Sequence, residues 1–146
     1  MTCIGCKLAN KLLETSVVYE DKWITVLLDI APFNEGHVLI MPKIHYQSLE
    51  EMDESTTSRV TTAAKDISIV LKELYHPDGI TLVQNGGYFD ELTHFHLHVV
   101  PRFKGQKFSE FFDIETEKPT REELELVKEK MVEKLKELAI RKYKGV

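Results

Sequence analysis

The sequence predicts an α+β protein in which an antiparallel sheet of about five strands carries helices on one side. Five short segments are rich in β-branched and aromatic residues, and short polar links join several of them. Apolar residues recur every three or four positions over two longer segments, as in amphipathic helices. The strand-like and helix-like segments are mostly segregated along the chain, and this arrangement favours an antiparallel sheet over a parallel one.

The predicted strands occupy the first hundred residues of the chain. They cover Ser16–Glu20, Trp23–Asp29, His37–Met41, Ile80–Gln84 and His94–Val100. The polar link Asp21-Lys22 predicts a hairpin between the first two strands. The segment Ala31–Gly36 contains Pro32, Asn34 and Gly36, which indicate a turn before the third strand.

Three helices are predicted around these strands. A short helix covers Cys6–Leu13, and an amphipathic helix covers Thr57–Tyr75. The pair Thr120 and Glu123 has the spacing of a capping box, in which each residue satisfies a backbone group of the other. A long C-terminal helix is therefore expected to begin directly after Thr120.

Length and composition exclude several classes of protein. A chain of 146 residues with 42% hydrophobic residues is large enough for one core, so residues 1–146 are expected to form one domain. No apolar run approaches the roughly 18–20 residues of a membrane span. The N-terminus lacks the features of a secretory signal, so a cytoplasmic location is expected. The net charge of −5 argues against a nucleic-acid partner.

Three of the six histidines alternate with apolar residues in His94-Phe95-His96-Leu97-His98-Val99-Val100. In a strand, His94, His96 and His98 would share one face, roughly 6–7 Å apart in succession. A single histidine in a sheet is usually structural, but three in register indicate a site. They could bind a metal ion together, or a neutral imidazole could attack phosphorus.

The loop before this strand favours the phosphorus chemistry. Asn85-Gly86-Gly87 lets backbone amides approach an anion closely, although a glycine pair is more often a plain turn. At the N-terminus, Cys3 and Cys6 have Cys-x-x-Cys spacing. That spacing suits either a redox pair or half of a metal site.

Together these motifs resemble the histidine triad (HIT) superfamily, and in particular its bacterial Hint-like branch. The signature of three histidines alternating with apolar residues matches His94–Val100 without a gap. The segments Val26–Pro32, Gly36–His45 and Val83–Gly87 resemble the rest of the family's core. The resemblance covers about residues 1–103, and residues 104–146 are expected to form a helical extension.

The resemblance implies a homodimer that binds a purine nucleotide or a nucleotide conjugate. It implies hydrolysis or transfer of a nucleotidyl group through a covalent nucleotidyl-histidine on His96. His98 would contact the phosphate or the leaving group, and Asp29 would bind the ribose hydroxyls. Asn85 and Gly86 would approach the ribose or phosphate. His37 would support this arrangement from the neighbouring strand.

Several bacterial members of the family carry zinc, and the matching positions here are Cys3, Cys6, His45 and His94. A closed set of four ligands would make this zinc structural. The sequence also departs from the family. Asp90 and Glu91 stand where well-studied branches have an amide and a hydroxyl. Carboxylates there repel a phosphate unless they point away or meet a cation.

Two other functions stay open. The acids at Asp90 and Glu91 are compatible with a nucleotide-binding or scaffolding protein that has little catalytic activity. A metalloenzyme that uses His94, His96 and His98 as ligands is the third hypothesis. The catalytic hypothesis requires that the His96 ring be reachable and not bound to a metal ion.

Overall fold

The five-stranded sheet is the centre of the molecule. The computed structural model describes residues 2–107, 109–110 and 117–144. In chain order, its main elements are α1 (Ile4–Ala9), β1 (Val17–Glu20), β2 (Ile24–Leu28), β3 (Val38–Pro42), α2 (Glu54–Tyr75), β4 (Gly79–Val83), β5 (Leu97–Arg102) and α3 (Arg121–Tyr143). The strand order is β1-β2-β3-β5-β4, and every neighbouring pair is antiparallel. This confirms the predicted α+β class and sheet.

One face of the sheet forms the main core with α2 and α3. Alternate strand residues point to this face, because successive side chains in a strand project to opposite sides. The strand residues involved are Val26, Leu28, Val38, Ile40 and Val99. Phe95 joins them and is 2% exposed. Full burial of such a side chain contributes about 1.5–3 kcal/mol, so Phe95 is a main anchor of the segment that carries the histidines.

The short helix α1 packs on the opposite face of the sheet. Ala9 lies in a smaller buried cluster with Leu27, Leu39 and Met41, whose side chains alternate with those of the main core. The helix begins at Ile4 and ends at Ala9, earlier than the predicted Cys6–Leu13. The Asn10 side chain ends it by donating to the carbonyls of Cys6 and Lys43, at 2.9 and 3.0 Å.

The two long helices follow the predicted periodicity. A predicted capping box is confirmed at Thr120 and Glu123, and α3 begins at Arg121. Helix α2 begins at Glu54 rather than Thr57, because the Asp53 side chain accepts a hydrogen bond from the Thr56 amide at 2.7 Å. No helix in the described ranges is both long and apolar enough to cross a membrane.

The strand of the three histidines begins later than predicted. Strand β5 covers Leu97–Arg102, so its pairing starts after the first two histidines. A turn precedes them: the Leu92 amide donates to the Asp90 side chain at 3.0 Å, and Thr93 has a φ of 50°. At the other end, β5 continues through Pro101. Beyond Val99 it pairs only with β4, and an edge position tolerates proline.

We expect Gly5→Ala to destabilise the protein, because α1 touches the histidine segment at this glycine. A Cβ atom at Gly5 would lie 2.2 Å from the Cβ of His94. This clash can be relieved only if the backbone of α1 or of the histidine segment moves. The expected loss in the free energy of unfolding is about 1–3 kcal/mol, measured by urea denaturation. Gly79→Ala is the control, since a Cβ there meets nothing within 4 Å. Equal stability of the two variants would show that α1 does not pack as described.

Candidate functional site

The three histidine side chains lie on the sheet face opposite the main core. Phe95, Leu97 and Val99 pack on the core side, so the histidines between them project the other way. This is the alternation that the sequence predicts, although regular pairing starts only at Leu97. The ring centroids of His96 and His98 are 4.9 Å apart. Two imidazoles therefore stand side by side on this face.

A backbone carbonyl fixes the proton of the His96 ring. Nδ1 of His96 lies 2.9 Å from the carbonyl oxygen of His94. Because a carbonyl oxygen only accepts hydrogen bonds, Nδ1 must carry the proton and donate it. In the neutral ring, Nε2 then holds the free lone pair. This tautomer is the one that a nucleophilic imidazole needs at Nε2.

A second chain of hydrogen bonds fixes the opposite tautomer at His98. The Phe33 amide donates to Nδ1 of His37 at 3.0 Å, so the proton of neutral His37 is on Nε2. That Nε2 lies 2.8 Å from Nδ1 of His98 and donates to it. The proton of neutral His98 is therefore on Nε2. His96 and His98 thus present a lone pair and a proton, respectively, on their Nε2 atoms.

Burial keeps both members of the His37 and His98 pair neutral. Burial lowers the pKa of His37 to about 4, although Asp29 opposes the shift. Burial, with the neighbouring His37 and His96, lowers the pKa of His98 to about 3. A neutral His98 can accept the hydrogen bond from His37 at Nδ1, as the tautomers assigned above require.

Asp29 lies at the end of β2 beside this pair. Its Oδ1 accepts from the Ala31 amide at 2.8 Å, so one oxygen shapes the turn. Its Oδ2 lies 3.5 Å from Nε2 of His37 and 3.9 Å from Nδ1 of His98. The side chain is 17% exposed. A carboxylate oxygen is thus available at the edge of the site for a hydroxyl donor.

The Cys-x-x-Cys pair meets two histidines in a separate cluster. The four donor atoms of Cys3, Cys6, His45 and His94 all lie within 4.8 Å of one another. Nδ1 of His94 is 3.7 Å from the sulfur of Cys3 and 3.4 Å from that of Cys6, and Nδ1 of His45 is 3.3 Å from the Cys6 sulfur. With Zn–N of about 2.0 Å and Zn–S of about 2.3 Å, tetrahedral ligand atoms lie roughly 3.3–3.8 Å apart. The donor set therefore fits zinc.

The surroundings of this cluster favour a bound cation. Burial, together with the adjacent Cys3, raises the pKa of the Cys6 thiol, so two thiolates are costly without a positive charge. Nε2 of His94 lies 2.8 Å from the Pro42 carbonyl and donates to it, so Nδ1 faces the sulfurs with a lone pair. Burial also lowers the pKa of His94 and favours that neutral form.

The two acids that depart from the family pattern differ in their surroundings. Asp90 is buried, and its Oδ1 lies 3.6 Å from Nδ1 of His96. Glu91 is exposed to solvent. Sequence reasoning treated both as obstacles to phosphate binding and missed the contact of Asp90 with the His96 ring. No sequence signal distinguishes the two acids, because the hydrogen bond from the Leu92 amide to Asp90 is visible only in the structure.

The glycine loop follows the end of β4. Val83 pairs with His98, so Asn85 lies two residues beyond the strand position that faces this histidine. The Asn85 carbonyl accepts from the Gln84 side chain at 2.8 Å. Gly86 has an extended backbone, whereas Gly87 has a φ of 60°. The roles of Asn85 and Gly86 toward a nucleotide stay predictions.

A cavity of about 610 Å³ opens between the turn after β2 and the start of α3. Asp29, His37, Leu28 and Phe33 are among its lining residues, whereas His96 and His98 do not line it. The cavity therefore adjoins the carboxylate but is not where His96 would react. Of the other apolar residues near the turn, Ile30 is 65% exposed.

The His96 ring is enclosed rather than free-standing, since its side chain is only 7% exposed. Its Nδ1 edge faces the His94 carbonyl and the Asp90 side chain, which is 0% exposed. The His96 ring therefore has little contact with solvent.

The antiparallel sheet with three histidines on one face is the arrangement of a histidine triad protein, and comparison with known proteins identifies the same family. The HIT domain family matches residues 10–105, and the chain belongs to this family. An uncharacterized HIT-like protein of Methanocaldococcus jannaschii is 36% identical over 126 residues, which cover 82% of this chain and 97% of that protein. Membership supports a nucleotide-binding hydrolase or transferase in general.

Two further relatives bear on the chemistry. The crystal structure of a Zn-bound histidine triad family protein from Mycobacterium smegmatis is similar, with a TM-score of 0.79 and 30% identity. That similarity covers 95% of this chain and 96% of the other. Adenylylsulfatase HINT3 of Arabidopsis thaliana is 31% identical over 102 residues, which are 68% of this chain and 52% of the plant protein.

We expect the stability of the protein to fall in acid because His37 is buried as a neutral ring. Its folded pKa of about 4 lies below the ordinary value of 6.5, so between these values the unfolded chain binds a proton that the folded chain excludes. This contribution is complete above pH 6.5 and is lost as the pH falls toward 4. Its size is about 2–3 kcal/mol, measured as the difference in unfolding free energy between neutral and acid pH.

The His37→Asn variant isolates this contribution. The Asn oxygen replaces the acceptor for the Phe33 amide, while the titrating ring is gone. The pH-dependent difference should shrink by about 2–3 kcal/mol relative to wild type. His76→Asn, at an exposed histidine after α2, should keep the wild-type pH dependence. An unchanged difference in His37→Asn would contradict the neutral burial of His37.

Proposed function

We propose that this protein is a nucleotide phosphoryl hydrolase or nucleotidyl transferase that acts through a covalent nucleotidyl-histidine on His96. One observation carries the proposal. The His94 carbonyl holds the proton of His96 on Nδ1 and leaves a lone pair on Nε2, in a ring that is largely buried. An imidazole prepared in this way is a nucleophile for phosphorus at neutral pH.

The first step is attack by Nε2 of His96 on the phosphorus of a bound nucleotide. The N–P bond forms as the bond from phosphorus to the leaving group breaks, and the leaving group takes the electron pair. His98 carries its proton on Nε2, beside His96, and donates a hydrogen bond to the departing nitrogen or oxygen, while a leaving amine takes the proton it needs from solvent. His37 orients this donor by donating to the other nitrogen of the same ring.

The second step releases the nucleotide. Water or another acceptor attacks the same phosphorus, the N–P bond breaks, and His96 regains its lone pair. The proton of the attacking hydroxyl passes to the released phosphate or to solvent, while His98 keeps its Nε2 proton and donates a hydrogen bond. Two displacements through a covalent intermediate replace one difficult substitution.

The proposed substrates are purine nucleoside phosphoramidates and dinucleoside polyphosphates. Asp29 would bind the ribose hydroxyls with the oxygen that does not shape the turn. Asn85 and the Gly86 amide would approach the ribose or phosphate from the loop after β4. The HIT family and the similarity to an adenylylsulfatase support a hydrolase of nucleotide conjugates. A homodimer is expected from the same resemblance.

We also propose that Cys3, Cys6, His45 and His94 bind a structural zinc ion. The donor distances and the Zn-bound relative support this proposal. When bound, zinc supplies a cross-link between the N-terminal helix and the histidine segment, and its four protein ligands leave no position for substrate. His94 would also connect this cross-link to the nucleophile, since its carbonyl holds the His96 ring.

The alternative function is a nucleotide-binding or scaffolding protein with little catalysis, and the burial of His96 favours it. A catalytic metal held by all three triad histidines has less support. Nδ1 of His94 faces the cysteines, and Nδ1 of His96 and of His98 is engaged in other hydrogen bonds. Their donor atoms do not converge as a closed metal site requires.

We predict that His96→Ala abolishes turnover of adenosine and guanosine phosphoramidates. Because the variant lacks the nucleophile, the expected fall in kcat/KM is at least about a thousandfold. Intact-protein mass spectrometry after rapid acid-free quenching should show a nucleotidyl adduct in wild type and none in this variant.

His98→Asn is the informative comparison for this experiment. It removes the imidazole that donates a hydrogen bond to the leaving group but keeps Nε2 of His96, so the adduct should still form, at a reduced rate. Peptide mapping should place it on His96. Full turnover by His96→Ala, or an adduct on another residue, would contradict the assignment.

We predict that Cys3→Ser lowers the zinc content from about one ion per chain to nearly zero, because a weak hydroxyl replaces a thiolate ligand. Inductively coupled plasma mass spectrometry measures the metal. Thermal unfolding with and without a chelator provides the control: the chelator should destabilise wild type but have no further effect on Cys3→Ser. Undiminished zinc in Cys3→Ser would exclude Cys3 as a ligand.

A further inference from the structure

Asp90 is a buried carboxylate placed directly behind the His96 ring. We propose that Asp90 is a positioning residue whose negative charge offsets the positive charge that His96 acquires in its nucleotidylated form. This inference rests on the proposed function, because it assigns a purpose to the residue behind the proposed nucleophile. It also identifies a feature of this chain that differs from the branches with an amide in the corresponding stretch.

The contacts of the Asp90 side chain divide between its two oxygens. Oδ1 accepts from the Leu92 amide at 3.0 Å and lies 3.6 Å from Nδ1 of His96. Oδ2 is buried and has no hydrogen-bond partner in the described part of the chain. The side chain is 0% exposed, so solvent does not hydrate that oxygen either.

A buried carboxylate with one oxygen unpartnered is unfavourable, and such a group calls for a functional explanation. The neighbouring group that can change its charge during the proposed reaction is the His96 ring. Glu91, the next residue, is exposed to solvent and shows no such enclosure. Asp90 and Glu91 are adjacent in the sequence, but only Asp90 is buried against the His96 ring.

The charge on His96 changes in the first chemical step. Neutral His96 has a proton on Nδ1 and a lone pair on Nε2. When Nε2 uses that lone pair to form the N–P bond, the ring keeps the Nδ1 proton and becomes a cationic imidazolium. The leaving group departs with the electron pair of the broken bond, with Nε2–H of His98 donating a hydrogen bond to it and solvent supplying the proton that an amine needs. When water later cleaves the N–P bond, the pair returns to Nε2 and the ring is neutral again.

A carboxylate that is already in place stabilises this cation without reorganisation of solvent. Nδ1 is hydrogen-bonded to the His94 carbonyl at 2.9 Å and lies 3.6 Å from Oδ1 of Asp90, so the charge of the carboxylate acts on the ring at short range. Asp90 faces Nδ1, whereas the phosphate would bind at Nε2, so the ring separates the carboxylate from the phosphate. This separation reduces the predicted repulsion of phosphate by an acid at this position.

The test compares three variants in single-turnover adduct formation with a fluorogenic adenosine phosphoramidate. Asp90→Asn keeps the shape and the acceptor for the Leu92 amide but removes the charge. Asp90→Ala removes both, and Glu91→Gln removes an adjacent exposed charge. Zinc content, melting temperature and nucleotide Kd are measured for each variant, so that misfolding and weaker binding are separated from slower chemistry.

We expect Asp90→Asn to lower the rate of adduct formation by about 10- to 100-fold, with little change in Kd, zinc content or melting temperature. Asp90→Ala should be at least as slow, and Glu91→Gln should match wild type. A purely structural role would give the opposite pattern, in which Asp90→Asn is close to wild type and only Asp90→Ala is impaired. That pattern, or equal rates in Asp90→Asn and Glu91→Gln, would overturn the inference.

The same experiment separates this inference from the proposed function. If wild type forms the adduct on His96 and Asp90→Asn forms it equally fast, the proposed function stands and the role of Asp90 is wrong. If wild type forms no adduct, both are overturned.

Discussion

The hydrogen bond from Nδ1 of His96 to the His94 carbonyl is the interaction on which the candidate site depends. It spans only two residues, so it is set by the local path of the backbone rather than by a distant side chain. Without it, the neutral ring would be free to carry its proton on Nε2, the position that must attack. The site therefore depends on how firmly the backbone at His94 is held.

Three features hold the backbone at His94. Its ring donates to the Pro42 carbonyl on β3, its Nδ1 meets the two cysteine sulfurs, and α1 packs against it at Gly5. On the opposite face of the sheet, Phe95 is buried in the main core. The segment is thus fixed from both faces, although it precedes the regular pairing of β5. The candidate metal cluster and the proposed nucleophile are connected through His94, whose ring contacts the cysteines and whose carbonyl holds the His96 ring.

Much of the fold follows from local sequence signals, and its exceptions have local causes. The alternation around His96 and the capping box at Thr120 both predict what the structure shows, because strand and helix periodicity are local properties. The start of β5 was placed too early because a turn at Asp90, closed by its own side chain, interrupts the extended backbone. Periodicity alone does not reveal such a turn.

The sequence predicts which histidines lie near one another in the candidate site, but it does not predict which side chains they contact. The sequence brings His94, His96 and His98 together because they share one segment, whereas the contact of His37 with His98 depends on how β3 pairs with β5. The inward orientation of Asp90 was equally hidden, since the sequence shows two adjacent acids and not which one is buried. Position along the chain identifies candidates, and tertiary pairing decides their partners.

The most direct test is the position of the proton on each histidine ring, read from long-range 1H–15N correlations of histidine-labelled protein at neutral pH. These spectra distinguish the two neutral tautomers of each imidazole. The hydrogen bonds described above predict a proton on Nδ1 of His96, and on Nε2 of His37, His94 and His98. A neutral His96 with its proton on Nε2 would contradict the assignment of this ring as the nucleophile.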